Sequence, residues 1–327
     1  MKLSVIIPVY NVEKYVINCI NSIIQNNLAS STYEIIVVDD ESPDKSVKII
    51  ESHFQEVKNI KIISQKNKGL GGARNTGIYA AQGKFILFLD ADDYLVPNTL
   101  SQIVNQAIAT QVEVLEFGAH GVLENGVVCY TLSNSSNNLI FDGMDYYEKV
   151  RYANSACNKL YSTAFLRNNQ LFFEEQLYIE DFEFNTRVFL QAKRMLAVKT
   201  IVGQFLQSPN SITRNTSIEK KEKMLSDIER VMAITKELYM NSDNQNAVFF
   251  KERLGFLTAT LFVQMIKNGA DYKIIHLKVE DLKGKNLFFV NHTLFDRSKN
   301  LFRILFLKQP LLLKLALPLY RFLNRKS

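Results

Sequence analysis

Residues 84–93 read Lys-Phe-Ile-Leu-Phe-Leu-Asp-Ala-Asp-Asp, a short apolar run that ends in three carboxylates. Such a run is typical of a strand that is buried on both faces, as in a parallel sheet. Residues 3–9 and 34–38 have the same form, and two aspartates follow at 39–40. Because ligands of open α/β sheets bind beyond the carboxyl ends of strands, we expect both acidic groups to line one crevice.

The first 120 residues alternate such runs with helical patterns. Ser42 is expected to cap the second helix, with Pro43 in its first turn. A third strand is predicted over residues 60–64, then a Gly-rich turn over residues 69–77 followed by a helix to about residue 82, and a fifth strand over residues 112–117. This order predicts the α/β class, with a Rossmann-like and mostly parallel central sheet.

The pattern becomes looser after residue 118. Residues 118–147 are rich in Gly, Asn and Ser, which predicts a hairpin or a flap. We predict helices over residues 154–168 and 181–191, a strand over 196–206, and further helices over 218–240 and 247–267. The predicted organisation is therefore an α/β domain over residues 1–215 and a helical region over residues 216–327.

Composition excludes several classes of protein. The chain has 327 residues, 47% of them hydrophobic, which argues against a disordered tail or a disulfide-stapled miniprotein. The formal net charge of +6 is too small to indicate a nucleic-acid-binding protein. Eight Lys and Arg residues and no acid lie between Arg297 and Ser327, so the positive charge is concentrated in the tail and the rest is close to neutral.

The cysteines and the apolar segments indicate in which cellular compartment the protein is expected to be. Cys19, Cys129 and Cys157 are widely spaced, which fits a reducing compartment and predicts three packing residues. The apolar run at the N-terminus is too short for a signal peptide, and no segment reaches the roughly 20 apolar residues that span a bilayer. We therefore expect a cytoplasmic protein that is soluble or peripheral on a membrane.

The three carboxylates of Asp90, Asp92 and Asp93 carry the strongest chemical signal. Three acids in four residues repel one another unless a cation lies among them, and Mg²⁺ or Mn²⁺ binds one or two protein carboxylates together with substrate phosphate oxygens. The alternative is an acidic turn that caps the helix after Pro97, although a cap needs only one acid.

Arg74 lies in the Gly-rich segment. Gly69 and Gly71, followed by Asp90, superficially imitate a dinucleotide-binding fingerprint. The match fails because Arg74 occupies the third glycine position and the segment follows the third strand instead of the first. On a flexible turn, Arg74 could pair with a diphosphate or with an acidic neighbour in the crevice; the alternative is a surface arginine after a loop.

Two residues at the carboxyl ends of the first and second strands could contact a nucleoside. Tyr10 could stack on a nucleobase, and Asp40 could accept a hydrogen bond from the base or the ribose. Each also has a structural interpretation, Tyr10 as a core residue and Asp40 as a loop acid.

In order and spacing, residues 5–11, 37–42, 69–77 and 89–93 resemble the motifs of glycosyltransferase family 2, of the type that builds bacterial surface polysaccharides. Residues 157–161 and the pair Glu180 and Asp181 extend the resemblance more weakly, to about residue 215. The resemblance implies a GT-A fold, a nucleotide-diphosphate sugar donor such as a UDP-sugar, and Mn²⁺ or Mg²⁺ at the Asp-x-Asp motif.

The resemblance also implies roles for individual residues. The nucleotide site would comprise Tyr10, Asp40 and Arg74, with Pro8, Asn11 and Ala91 beside them. Ribose and metal would be bound by Asp90 and Asp92, and Asp181 would be the catalytic base. Many family members have Gly where this chain has Glu41, which could alter the contacts to the base.

Asp181 lies among apolar and aromatic residues, surroundings that favour a carboxylate able to take up a proton. The alternative is an N-cap of the helix that runs to residue 191. A single displacement with Asp181 as base would invert the anomeric configuration, and the resemblance favours this route. A retaining route through Glu180 or Glu183 as nucleophile stays open on the residues alone.

The tail mixes Leu and Phe with Lys and Arg over residues 301–323. Such segments lie on anionic membrane surfaces, and a helix packed on the body or on a second copy in a homo-oligomer is the alternative. The membrane interpretation predicts a peripheral protein on the inner face of the cell membrane, with a glycan or lipid-linked glycan as acceptor. Residues 208–215, with Arg214, resemble a loop that closes over the donor.

Two other functions are compatible with an α/β fold of this kind. A sugar nucleotidyltransferase would need a basic Gly-rich signature directly after the first strand, where this chain has Pro8, Val9, Tyr10 and Asn11. A non-catalytic GT-A scaffold at the membrane would not need Asp90, Asp92 and Asp181 together.

Overall fold

The computed structural model of the protein describes residues 1–150, 152–207 and 217–324. For residues 244 and 319–324 it describes the backbone alone. The chain divides into two compact units, Met1–Arg214 and Asn215–Ser327. The first unit contains the sheet, and the second is helical.

The first unit has nine strands and seven α-helices among the described residues. The strands are β1 (Leu3–Val9), β2 (Tyr33–Asp39), β3 (Ile60–Ser64), β4 (Phe85–Phe88), β5 (Tyr94–Leu95), β6 (Val114–Val122), β7 (Val128–Leu132), β8 (Lys159–Ser162) and β9 (Met195–Leu206). The helices are α1 (Val16–Ile24), α2 (Ser46–His53), α3 (Gly69–Ala80), α4 (Leu100–Thr110), α5 (Gly143–Lys149), α6 (Thr163–Asn168) and α7 (Glu180–Gln191).

The strands form one sheet in the order β3-β2-β1-β4-β8-β6-β9-β5, with β7 paired to β6. The first four of these strands are parallel, β8 is antiparallel to both of its neighbours, and β6 and β9 are parallel. This architecture confirms the predicted α/β class. It also places the carboxyl ends of β1, β2 and β4 at one edge, where both acidic segments lie.

The core lies on both faces of β1. Leu3, Val5 and Ile7 are 0% exposed and belong to the same apolar cluster as Ile20 of α1 and Ile103 of α4. On the opposite face α3 packs against β1 at Ile6, where Gly77 has no Cβ and so permits a close approach. The sheet is thus covered on both sides, as its uninterrupted apolar strands require.

Three local predictions were wrong. The Gly-rich segment is the helix α3 instead of a turn, because its small residues allow the helix to pack closely against residues 173–175. The second helix begins only at Ser46, since Ser42 accepts a hydrogen bond from the N–H of Asn11 instead of capping the helix. Lys159–Ser162, within a predicted helix, is strand β8.

Other predictions agree with the structure or are corrected in detail. The loose segment after residue 118 forms the β6–β7 hairpin, as expected. Cys19 and Cys157 are buried, whereas Cys129 is exposed on that hairpin and is not a packing residue. All three cysteines are free.

The second unit is formed by five α-helices in the part of the chain that the structure describes. They are α8 (Ile218–Met240), α9 (Ala247–Lys267), α10 (Tyr272–Gly284), α11 (Arg297–Phe302) and α12 (Pro310–Asn324), with a π-helical turn at Arg303–Leu307. This confirms a helical C-terminal region. None of the described helices combines the length and the hydropathy that crossing a membrane requires.

The contact between α3 and β1 can be tested at Gly77. In Gly77→Ala the added methyl group would overlap the side chain of Ile6, so we expect the free energy of unfolding to fall by roughly 1–3 kcal/mol, as for other overpacked cores. Urea denaturation measures this change. Gly284→Ala is the control, because no atom lies within 4 Å of the added Cβ there; equal midpoints for both variants would contradict the close packing of α3.

Candidate active site

Arg74 lies in the middle of α3 and is only 1% exposed. Its guanidinium lies against the ring of Phe173, with Cζ 5.1 Å from the ring centroid. A buried guanidinium needs acceptors for its N–H groups and negative charge nearby. Arg74 therefore lies on a helix instead of the predicted flexible turn, and the alternative of a surface arginine after a loop is wrong.

The acceptors of Arg74 come from three distant parts of the chain. Nη1 donates to Oε1 of Glu180 at 2.8 Å and to Oδ1 of Asp181 at 2.7 Å. Nη2 donates to Oδ1 of Asp90 at 2.9 Å and to Sγ of Cys157 at 3.5 Å. Of the two expected partners of Arg74, the acidic neighbours are present in the structure, and the diphosphate stays a prediction.

The charges of this cluster are unequal. Burial raises the pKa of Glu180 from its ordinary value of 4.5 to about 8; the charge of Asp181 acts in the same direction, and Arg74 opposes both. Burial alone would lower the pKa of Arg74, but the charges of Asp181 and Asp90 outweigh it and raise that pKa. At neutral pH the cluster therefore combines the cation of Arg74 with a largely neutral Glu180.

Asp181 is bonded on both carboxylate oxygens. Oδ1 accepts from Arg74, and Oδ2 accepts from the N–H of Ala156 at 2.9 Å. The helix α7 begins one residue earlier, after Ile179, so Asp181 is not its N-cap. Its side chain is 26% exposed against 6% for that of Glu180, which leaves Asp181 accessible to a substrate.

The acidic side chains that follow β4 have different hydrogen-bond partners. Asp90 reaches Arg74, whereas Asp93 is buried and accepts from the N–H of Leu206 at 2.8 Å. Burial, and then the charges of Asp90 and Asp92, raise the pKa of Asp93 well above its ordinary value. The three carboxylates are therefore close enough to repel one another, but only Asp90 and Asp92 are partly exposed.

The fit of a metal ion can be judged from this donor set. No group of three or more His, Cys, Asp or Glu side chains is placed to hold an ion among the residues that the structure describes. Mg²⁺ or Mn²⁺ in nucleotide sites needs only one or two carboxylates, because substrate phosphates and water complete its coordination. Asp90 and Asp92 fit that requirement, and Asp92 lines a cavity of about 370 Å³ together with Lys14 and Tyr94.

The residues predicted to contact the nucleotide lie at the ends of β1 and β2. Tyr10 is 52% exposed, an accessible position for stacking. Asp40 is buried, and its Oδ1 accepts from Nε2 of Gln65 at 2.7 Å and from the N–H of Lys68 at 2.8 Å. Asn11 is exposed and has a positive φ of 57°.

The side chains of Pro8 and Ala91 are buried, so their backbone is the part that could reach a donor. Arg214 and the predicted closing loop lie outside the described residues.

The sequence gives Glu180 only as a neighbour of Asp181 and a possible nucleophile. Its hydrogen bond to Arg74 joins residues 106 positions apart in the chain, and no local pattern indicates such a contact. The one available signal was the acidic pair itself, because two adjacent carboxylates at the start of a helix need a cation when one of them is buried. The contact of Cys157 with Arg74 carries no sequence signal of its own.

Comparisons with known proteins identify the family of the chain. Residues 4–168 match the model of the family described as Glycosyl transferase family 2. The chain therefore belongs to glycosyl transferase family 2.

Curated relatives and a solved structure extend the comparison. Over 217 residues the chain is 31% identical to the uncharacterized glycosyltransferase EpsJ of Bacillus subtilis, which covers 64% of this chain and 62% of EpsJ. It is 31% identical over 198 residues to TarS of Staphylococcus aureus, a poly(ribitol-phosphate) beta-N-acetylglucosaminyltransferase, covering 60% of this chain and 34% of TarS. The matched segment therefore spans less than two thirds of either relative.

The crystal structure of TarS 1–349 with UDP-GlcNAc superimposes with a TM-score of 0.58 at 21% identity, and covers 89% of this chain and 90% of that one. The two chains thus share a fold, and the predicted GT-A fold is confirmed.

The neutral state of Glu180 predicts how stability depends on pH. Between pH 4.5 and about 8 Glu180 keeps its proton in the folded protein, whereas in the unfolded chain the same carboxyl group has already lost it. The free energy of unfolding therefore falls as the pH rises through that window. Glu180→Gln lacks this titration. We expect wild type to lose stability relative to Glu180→Gln from about pH 5 to 8, by an amount on the order of several kcal/mol.

Urea denaturation across this pH range measures the difference. Glu175→Gln, at an exposed position in the segment before α7, is the control and should follow wild type. Parallel curves for wild type and Glu180→Gln would show that Glu180 is ionised in the folded protein.

Proposed function

We propose that the chain is a metal-dependent glycosyltransferase that moves a sugar from a UDP-sugar to a hydroxyl of a growing surface glycan, with inversion. Membership of the family and the shared fold support transfer from a nucleotide sugar. The TarS structures with UDP and UDP-GlcNAc suggest that the donor of this chain is a UDP-sugar. The surface glycan is suggested by the name of TarS, which acts on poly(ribitol phosphate).

The observation that carries the proposal is the shared guanidinium of Arg74. It is bonded to Asp90, at the end of β4, and to Asp181, at the start of α7, at 2.9 and 2.7 Å. A carboxylate suited to the donor side of the site is thereby placed beside a carboxylate suited to proton removal. General-base catalysis needs such a group within hydrogen-bond reach of the attacking hydroxyl.

In the proposed reaction the acceptor oxygen forms a bond to the anomeric carbon as the bond from that carbon to the diphosphate oxygen breaks. Asp181 takes the proton of the acceptor hydroxyl. Neutral Glu180 keeps the net charge around Arg74 less negative, which favours the approach of an anionic donor. A metal ion bound at Asp90 and Asp92 would supply stabilisation of the charge on the departing diphosphate.

The arrangement of the other acids supports a single displacement. A retaining route needs a second carboxylate that is free to attack the sugar. Glu183 is 1% exposed and accepts from Nε and Nη2 of Arg187, both at 2.6 Å. Glu180 is buried against Arg74. A retaining route through either residue would require these buried contacts to open.

A transfer assay tests the proposal. We expect one of UDP-glucose, UDP-galactose or the UDP-N-acetylhexosamines to release UDP in the presence of Mn²⁺, and the release to stop in EDTA and return with added Mn²⁺. Asp181→Asn should lower kcat by about 10²- to 10⁴-fold, the usual contribution of a general base, while UDP binding measured by calorimetry stays unchanged.

Asp145→Asn is the matched control, because Asp145 is an exposed aspartate paired with Lys149 on α5. An Asp181→Asn variant with wild-type kcat would remove Asp181 as the base. Full activity in EDTA would remove the metal from the proposal.

We also propose that the protein binds an anionic membrane through the segment from α11 to α12. This segment is apolar on both sides: Leu307, Leu313 and Leu317 are buried, whereas Leu311 and Leu315 are each 74% exposed. A helix that is apolar all round requires a second apolar partner. The absence of acids after Asp296 in the sequence favours anionic lipid as that partner.

Two basic residues of the tail face the protein instead of the expected membrane. Arg303 is 3% exposed and donates to the carbonyl of Val290 and to Asn300. Lys299 lies over the ring of Phe256 and pairs with Asp296. The exposed basic groups among the described side chains of the tail include Arg297 and Lys308.

Vesicle co-sedimentation tests the membrane proposal. We expect binding to vesicles with phosphatidylglycerol, weaker binding to pure phosphatidylcholine, and release at about 0.5 M salt, because the attraction is partly electrostatic. The triple variant Leu311→Gln, Leu312→Gln, Leu315→Gln should lose binding. Ile274→Gln with Leu277→Gln, two exposed apolar residues of α10, is the control.

Equal binding of the triple variant and wild type would contradict the assignment of this surface. A dimer in solution that only the triple variant disrupts would assign it to a second copy instead.

A further inference from the structure

Two charged side chains are fully buried in the sheet and have no part in the chemistry proposed above. Lys159, on β8, is 0% exposed, and Glu116, on β6, is 1% exposed. They face each other in the antiparallel pairing of the two strands, with Nζ 3.4 Å from Oε2. Stability alone is a weak reason for such a pair, because the desolvation of two ions often exceeds their attraction.

The pair holds the segment that precedes β8. Nζ of Lys159 donates to the carbonyl oxygens of Ala153 and Ser155 at 2.6 and 2.7 Å, and to Oδ1 of Asn158 at 2.9 Å. Oε1 of Glu116 accepts from the N–H of Ala153 at 3.2 Å. Both ends of residues 153–155 are thus bonded to the buried ions.

The carbonyl of Asn154, which lies between those of Ala153 and Ser155, also accepts a hydrogen bond from a buried side chain. Nδ2 of Asn185 donates to the carbonyl oxygen of Asn154 at 2.6 Å and to that of Asp181 at 2.9 Å. Asn185 is 0% exposed. Three successive carbonyls are therefore fixed, and the next N–H group, that of Ala156, is the one that donates to Oδ2 of Asp181.

We propose that Lys159 is a positioning residue for Asp181: it fixes residues 153–155 and thereby the Ala156 N–H that orients the carboxylate. The inference rests on the proposed role of Asp181 as the base. With Oδ1 on Arg74 and Oδ2 on Ala156, the plane of the carboxylate is set from two sides, and each oxygen retains a lone pair for the acceptor hydroxyl.

Other ionisable groups face Asp181 and bear on how its charge is balanced. They are Arg74 of α3, Glu180 of its own helix, Cys157, and Tyr161 and Lys159 of β8. Asp90 acts through the shared guanidinium. Among these groups Lys159 is the one that also bonds to the backbone next to Ala156, so its removal changes geometry as well as charge.

The test uses a pair of substitutions that leaves no isolated buried charge. Lys159→Met alone would leave the buried Glu116 carboxylate without its cation, so this substitution is combined with Glu116→Gln. The double variant is compared with Glu116→Gln alone, in which Lys159 still reaches the carbonyls of Ala153 and Ser155. We expect the double variant to bind UDP as Glu116→Gln does, and its kcat to be lower by up to about 100-fold, the loss that small misplacements produce.

The pH profile separates positioning from a general loss of structure. Loss of the N–H donor destabilises the ionised carboxylate, so the acidic limb of the kcat profile should move to higher pH in the double variant. Lys223→Met with Asp227→Asn, which removes a lysine–aspartate pair of α8, is the control and should leave the profile unchanged. A double variant with the kcat and pH profile of Glu116→Gln overturns the inference.

A measurement on wild type covers the case in which the double variant does not fold. In ¹⁵N-alanine-labelled protein, with the Ala156 signal assigned through Ala156→Ser, we expect this amide resonance to shift in Asp181→Asn. An unshifted resonance overturns the inference. An active Asp181→Asn variant would overturn both the proposed role of Asp181 as the base and the inference about Lys159. An inactive Asp181→Asn variant together with a fully active double variant would overturn the inference about Lys159 alone.

Discussion

The site depends on one buried cation, the guanidinium of Arg74, in a helix that packs beneath the edge of the sheet. Its N–H groups reach three carboxylates and a thiol from parts of the chain that are far apart. Its Nε is buried without a hydrogen-bond partner among the described residues, so its hydrogen bonds are made by the two terminal nitrogens Nη1 and Nη2. The planar fork of an arginine suits this task, because it presents several donors in fixed directions.

One cation against three carboxylates sets the protonation states around it. The most buried acid, Glu180, has its pKa raised to about 8 by burial and by the charge of Asp181. Asp181 is more exposed than Glu180 and accepts the Ala156 N–H as well. Two adjacent acids thereby differ in their surroundings: Glu180 is a neutral partner of the cation, and Asp181 is the accessible carboxylate that we propose as the base, a pattern common to enzymes with paired carboxylates.

The apolar pattern predicts most of the elements, because strands and helices buried in a core must repeat with their own period. The bounds of β1, β3, α8 and α9 were predicted without error. The Gly-rich part of α3 was predicted as a turn and the strand β8 as helix, since each is determined by close packing or by a buried charge that only distant residues supply. The same holds for the site. Asp90 and Asp181 could be found as acids in context, whereas the contacts of Arg74 and Lys159 join residues that no spacing rule connects.

Asp181 illustrates why Arg74 and Lys159 lie on regular elements. Arg74 on α3 bonds one oxygen of the carboxylate, and Lys159 on β8 fixes the backbone that bonds the other. Neither contact requires a substrate to form, so the proposed base is already oriented in the folded protein, and the entropy lost in ordering its carboxylate is offset during folding. A helix and a central strand hold such an arrangement more rigidly than a surface loop would. The burial of Arg74 and of the Lys159–Glu116 pair near one accessible carboxylate is therefore better explained by orientation of that carboxylate than by stability.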